Sequence, residues 1–185
     1  QTSLHSRDHH YSVKAGFDAE GRLLVVDAVL HANVGAYSCY PWTAGIEPLM
    51  AGGLMTGPYK LHHYRCDVRG VATNTTSTGP YRGVARPATV FVMDRIFDDA
   101  AAHFGIDVVD IRRLNLVAPE DLPYTAPTRL VHDSKTYIEC LDQAAELVDY
   151  DTFRAEQAVA RAEGRHLGIG FSCYNELTGL GQKAS

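Results

Sequence analysis

The sequence predicts an α+β fold, a mixed β-sheet packed with helices, and three observations carry that prediction. Two alternating runs, residues 9–17 and 22–32, flank the turn-forming Asp18-Ala19-Glu20-Gly21, as a β-hairpin requires. Downstream of Pro87, the residues Val90, Met93, Phe97, Ala100, Ala101 and Phe104 recur at i, i+3, i+7, i+10, i+11 and i+14, the stripe of an amphipathic helix. Strands gather ahead of helices instead of alternating with them, which favours α+β over an all-parallel sheet.

Composition sets the bounds. A chain of 185 residues, 45% hydrophobic and 21% charged, is long enough to bury a substantial core and ordinary for a globular protein. Its formal charge of −5 excludes a nucleic-acid surface, which needs a basic excess or stripe. The richest apolar run, residues 23–30, is interrupted by Asp27 and falls well short of the ~18 residues of a membrane span. The N-terminus has no basic stretch leading into an apolar core, so no signal peptide is expected. Cys39, Cys66, Cys140 and Cys173 are far apart, with no Cys-x-x-Cys, against an iron–sulfur cluster or a structural zinc site. They read as buried free thiols in a reducing compartment.

In chain order, the hairpin comes first. Its His9-His10 doublet, like His62-His63, reads as structural or surface, because neighbouring strand residues point to opposite faces. The chain leaves the second strand at Asn33-Val34-Gly35-Ala36-Tyr37, and Tyr37, Tyr40 and Trp42 form an aromatic cluster expected at the core. Residues 46–55 read as a helix broken by Gly57-Pro58, and 64–73 as a strand with Tyr64, Cys66, Val68 and Gly70 on one face.

Next is the most constrained stretch, Gly79-Pro80-Tyr81-Arg82-Gly83-Val84-Ala85-Arg86-Pro87. Glycine reaches φ > 0 freely and proline locks φ near about −65°, so this loop holds an irregular backbone. Entering a helix, it presents amides in a set direction, suited to an anionic ligand. An ordinary strand-to-helix connection is the competing reading. The helix that follows places Asp94, Arg95, Asp98 and Asp99 on its polar side and ends at Gly105. Asp107 then caps a short helix running to about Leu116, with Asp110 at capping-box spacing.

Residues 118–134 carry three prolines and read as a surface loop. Two helices follow, 135–150 and 151–165, and then a Gly-spaced strand over 166–174, where a second backbone or a ligand is expected to approach closely. The expected organisation is one domain over 1–185. It comprises a hairpin, strand, loop and helix pair over 1–117, a linker over 118–134, and a helix pair and strand over 135–185.

No Gly-x-Ser-x-Gly elbow, no P-loop and no Gly-x-Gly-x-x-Gly is present. Glu47 and Glu176 are the only carboxylates in apolar or Gly-rich surroundings, and both read as structural or edge residues. No residue is nominated as catalytic or as a metal ligand.

The motif Asn74-x4-Gly79-Pro80-Tyr81-Arg82-Gly83-x-x-Arg86-Pro87, followed by an amphipathic helix, resembles the large, molybdenum-binding subunit of the xanthine dehydrogenase/aldehyde oxidase family. Phe104-Gly105-Ile106-Asp107 with Ile111-Arg112-Arg113-Leu114-Asn115-Leu116 resembles that family's helix pair. Phe17-Asp18-Ala19-Glu20-Gly21 with Asn33-Val34-Gly35-Ala36-Tyr37 resembles its hairpin and Gly-Ala-Tyr turn.

The resemblance covers essentially the whole chain. It implies a partial molybdopterin-binding domain in which Tyr81, Arg82, Gly83 and Val84 lie at the molybdenum–molybdopterin cofactor, carried as its cytosine dinucleotide in the full-length protein. It places Met50, Phe171 and Ser172 at the substrate. Met50 stands where purine-oxidising members have an arginine, and Val84 where they have an aromatic clamp, which argues against purines. Gly83 stands where carbon monoxide dehydrogenases carry a copper-binding cysteine, which argues against that chemistry.

The implied reaction is hydroxylation of an aldehyde or N-heterocycle with water-derived oxygen. One further cofactor loop is expected upstream of Gln1 and the catalytic glutamate beyond Ser185. On this reading the chain is an internal fragment, inactive and without cofactor when alone. Its partners are the remainder of the large subunit and iron–sulfur and FAD subunits or domains, in the cytoplasm, with no nucleic acid and no membrane. The alternatives are a stand-alone, non-catalytic binding or assembly domain, and a phosphate or nucleotide binder using residues 79–87.

Overall fold

The computed structural model of the protein describes residues 4–40, 44–133 and 135–176. Strand β1 (His9–Phe17) and strand β2 (Leu23–Gly35) form the expected antiparallel hairpin, with Tyr11 opposite Leu30 and Val13 opposite Ala28. Asp18 closes the turn: its carboxylate accepts the amides of Glu20 and Arg22 at 3.1 and 2.7 Å, and Gly21 takes φ +85°. Helix α1 (Ile46–Leu54) then carries the chain across to strand β3 (His63–Ala72), which pairs with β2 in parallel. A parallel neighbour needs such a crossover, so the sheet is mixed, in the order β1-β2-β3.

Helix α1 lies close on the sheet. A Cβ on Gly52 would stand 2.7 Å from the Val68 side chain, and the Tyr64 hydroxyl donates to the Gly52 carbonyl at 2.7 Å. Helix α2 (Arg86–Phe104) follows the constrained loop and buries Thr89, Met93, Phe97, Ala100 and Ala101. Gly105 caps it in the left-handed region, as predicted. Asp107 caps helix α3 (Val108–Asn115) by accepting from the Val109 amide at 2.8 Å, whereas Asp110 pairs with Arg113 instead of closing a capping box.

The motif within α3 has a structural explanation. Asn115 is buried and accepts from the Leu23 amide at 2.7 Å while donating to the carbonyls of Gly21 and Ile111. It therefore ties the helix pair to the hairpin. The core sits between, built on Leu23, Val26, Met55, Tyr59, Met93, Phe97, Ile111 and Leu116, with the Tyr59 and Phe97 rings 4.2 Å apart.

Several expectations need correction. The segment expected as a surface loop folds into a 3-10 turn (Pro119–Asp121) and a two-stranded hairpin of β4 (Tyr124–Thr125) and β5 (Val131–His132). The Tyr124 hydroxyl reaches both backbone groups of Leu61, anchoring this hairpin at a distance no local pattern reports. Helices α4 (Tyr137–Leu147) and α5 (Tyr150–Ala162) fall where expected.

Residues 166–174 do not form a strand. Leu167, Ile169, Phe171 and Cys173 alternate with more exposed neighbours, but no described segment ladders with them, and a Cβ on Gly168 or Gly170 would meet nothing within 4 Å. Period-2 burial makes a chain extended, and a strand needs a partner as well. Tyr37 and Tyr40 are exposed, not core, because the chain leaves the sheet at Gly35; Trp42 and Ser134 lie outside the described residues. All four cysteines are free, yet none is fully buried and Cys140 is exposed, since it stands in an open groove between α4 and residues 169–174.

Candidate functional site

The N-terminal segment runs beside the constrained loop and shapes it. His5 bridges in parallel to Thr78, and the Gly79 amide donates to the His5 carbonyl at 2.8 Å. A Cβ at Gly79 would stand 2.4 Å from the tip of the Leu4 side chain, so a larger residue there obliges the half-exposed Leu4 to swing aside. Farther on, Val84 donates to the Tyr81 carbonyl at 2.6 Å and Arg86 to Gly83 at 2.9 Å. Both Gly83 (φ +81°) and Val84 (φ +51°) are left-handed, a conformation that a β-branched residue adopts only under external constraint.

Arg7 supplies a constraint. Its guanidinium donates to the carbonyls of Val84 at 2.7 Å and Tyr81 at 3.4 Å and also to that of Arg82, and it lies 5.3 Å from the Tyr81 ring centre. Among the described residues, the amides of Arg82, Gly83 and Ala85 donate to no backbone carbonyl.

The loop forms one wall of a groove of about 700 Å³, with α2 and the extended segment 170–176 as the others. Of the residues predicted for a site, Tyr81, Arg82, Gly83, Phe171 and Ser172 line this groove together. Val84 follows directly in the loop, its carbonyl turned to Arg7. Met50 stands apart, packed with the Leu30, Ala51 and Ala85 cluster on the α1 side.

Sequence reasoning missed Arg7, Arg86, Asp94 and Glu176 as groove residues. Arg86 is buried at the start of α2 and ion-pairs with Glu176 across the groove. Asp94, expected on the solvent side, is largely covered and pairs with the buried Arg112. Burial raises the Asp94 pKa, opposed by the Arg112 charge and the Ser172 hydroxyl. Helical periodicity cannot reveal this, because the segment covering Asp94 arrives from about eighty residues downstream.

On the other side of the loop is a buried acid. Glu47 is 2% exposed, its carboxylate oxygens have no hydrogen-bond partner among the described residues, and the His9 Nε2 atom lies 3.5 Å away. Burial pushes the Glu47 carboxyl up, with Arg7 pulling it down, and burial lowers His9, whose Nδ1 meets the Tyr11 hydroxyl at 3.0 Å. A raised carboxyl favours the neutral form, so its stability contribution is complete below the unfolded pKa near 4.5 and is lost as pH rises through the folded value. Glu47→Gln is therefore expected to be more stable than the parent at pH 7, the gap closing as pH falls towards 4.5. Because His9 lies 3.5 Å from Glu47 and its titration is coupled to that partner, both proteins carry His9→Gln in this comparison, so that only Glu47 differs. Urea unfolding at the two pH values checks this; a gap that widens on acidification refutes it.

Comparison with known proteins gives a consistent result. The family model described as "Molybdopterin cofactor-binding domain" matches residues 1–116. The 6-hydroxypseudooxynicotine dehydrogenase complex subunit gamma of Paenarthrobacter nicotinovorans is 33% identical over 97% of this chain and 23% of its own length. The nicotine 6-hydroxylase large subunit of the same organism is 30% identical over 95% of this chain and 21% of its own. The crystal structure of quinoline 2-oxidoreductase from Pseudomonas putida 86 superimposes with a TM-score of 0.92 at 34% identity, covering 98% of this chain and 23% of that one. The chain thus spans under a quarter of the length of these relatives.

Proposed function

The chain belongs to the molybdopterin cofactor-binding domain family, and on that premise we propose that its residues 81–84 help to hold a molybdenum–molybdopterin cofactor in an oxidoreductase that hydroxylates an N-heterocycle or aldehyde. The single observation behind this reading is a pair of amides in the groove wall that have no backbone acceptor among the described residues. Arg82 and Gly83, both in the groove wall, donate to no backbone carbonyl among the described residues, while a left-handed Gly83 lets a ligand approach the backbone. Backbone amides in such a cradle suit anionic, oxygen-rich groups, so the residues present fit the cofactor.

Within this reading Arg82 and Gly83 bind the cofactor through their amides, and Tyr81 and Val84, whose carbonyls Arg7 holds, flank it in the same loop. Phe171 and Ser172 flank the substrate, the ring stacking on a planar heterocycle and the hydroxyl orienting a polar edge. Met50 contributes apolar surface on the α1 side. The cofactor supplies the redox chemistry of inserting water-derived oxygen. This chain's residues bind it, orient the substrate and exclude water. The names of the relatives, which include nicotine and quinoline, support a nitrogen heterocycle over an aldehyde.

The rest of the reaction is assigned to other parts of a longer protein, because this chain spans under a quarter of its relatives. The cysteines are dispersed, so iron–sulfur clusters and FAD are placed on partner subunits or domains. The isolated chain is expected to be inactive and to lack the cofactor, the cytosine dinucleotide form being bound by the complete protein in the cytoplasm.

Metal and pterin analysis of the 185-residue chain, and of the same chain with its genomically adjoining coding sequence, tests this. Molybdenum near one per protein is expected only in the longer product. A longer product that folds without molybdenum would leave a non-catalytic binding or assembly domain instead.

A further inference from the structure

The three loop amides that find no backbone acceptor among the described residues trace to one residue, Arg7. In a trans peptide the C=O of one residue and the N–H of the next point to opposite sides. Arg7 takes the carbonyls of Tyr81, Arg82 and Val84. The N–H groups of those three peptide units belong to Arg82, Gly83 and Ala85, the same amides that donate to no backbone carbonyl.

We propose that Arg7 is a positioning residue for the loop. Its guanidinium gathers three carbonyls and so turns the amides of the same peptide units to the opposite side, where those of Arg82 and Gly83 stand in the groove wall as donors for anionic oxygens and that of the fully buried Ala85 does not reach it. The identity of the anionic group rests on the cofactor reading; the orientation of the loop does not.

Chemistry and conformation both single out arginine. A guanidinium carries five N–H donors in a planar fork and serves several carbonyls at once, whereas an ammonium is a compact point donor. Arg7 itself stands at φ +63°, beside the left-handed Gly83 and Val84, so strain is concentrated where the two segments meet. The His5–Thr78 bridge and the Leu4–Gly79 contact hold the segments in register, and the His9–Glu47 pair lies two residues on, where β1 begins.

Amide hydrogen exchange in the 185-residue chain tests the proposal with Arg7→Lys and Arg7→Met. The Val84 and Arg86 amides, which close the loop on Tyr81 and Gly83, are expected to exchange at least about tenfold faster in both variants, the worth of a charge-assisted hydrogen bond. Leu30 in β2 and Phe97 in α2 are expected to keep their protection. Unchanged exchange at Val84 and Arg86, full restoration by lysine, or equal acceleration at Leu30 and Phe97 would each overturn the assignment. Should Arg7→Met fail to fold, the lysine variant alone decides.

Molybdenum retention by the longer protein is then measured with Arg7→Lys. Faster loop exchange with a tenfold loss of metal supports both readings. Faster exchange with full retention keeps Arg7 as the positioning residue and moves the cofactor elsewhere.

Discussion

Replacing Arg112 by alanine is expected to lower the free energy of unfolding by about 3–5 kcal/mol, the cost of breaking a buried ion pair from one side. The Arg112 side chain is 1% exposed and reaches four acceptors: the carbonyl and carboxylate of Asp94 at 3.2 and 3.3 Å, the Asp98 carboxylate at 2.9 Å and the Val108 carbonyl at 3.0 Å. Alanine leaves Asp94 covered without its counter-charge and empties the buried space that the Arg112 side chain fills near Tyr59. Arg113, on the same helix, provides the contrast. Its pairs with Asp110 and Asp142 are solvent-exposed, so Arg113→Ala is expected to cost no more than about 1 kcal/mol. Urea unfolding of the two variants reads the difference directly, and equal losses would rule out the network as an anchor of α2 to α3.

The second large effect is expected at Gly35. A Cβ there would lie 2.5 Å from both the Ser77 Cα and the Thr76 carbonyl oxygen, and the residue stands at φ +73°. Both obstacles are backbone, so no side chain can swing aside. Left-handed strain of about 1–2 kcal/mol adds to an overpacking cost of about 1–3 kcal/mol, for an expected loss of about 2–4 kcal/mol in Gly35→Ala. Gly105 separates the two contributions, being left-handed at φ +67° with nothing within 4 Å of its would-be Cβ. Gly105→Ala should show the strain alone. If both variants lose the same stability, the close approach of β2 to residues 76–77 carries no weight.

These two residues illustrate how far local pattern reaches. Arg112 and Gly35 were both visible as members of motifs, Ile-Arg-Arg-Leu-Asn and Asn-Val-Gly-Ala-Tyr, without a reason for either. The reasons lie in Asp94, eighteen residues earlier, and in Ser77, forty-two residues later. The same holds for Asp94 at the groove. On its helix it occupies the polar side, and only the arrival of 170–176 covers it. The tyrosines Tyr37 and Tyr40 fail in the opposite sense: their apolar rings suggested burial, but no described element packs over them.

The sequence by itself determined the local elements and the family. Alternation set the β1–β2 hairpin, the helical stripe set α2, glycine and aspartate set the Gly105 and Asp107 caps, and the Gly79–Pro87 stretch carried the motif. Each rests on short-range physics: strand and helix periods, glycine's access to positive φ, and side-chain capping of nearby amides. The tertiary structure alone decided three things: the parallel pairing of β3 on β2, the burial of Arg112 and Glu47, and the grip of Arg7 on loop carbonyls seventy-odd residues away. Hydrogen bonds and ion pairs between distant segments depend on where the folded chain brings the partners, and no spacing rule along the chain encodes that meeting.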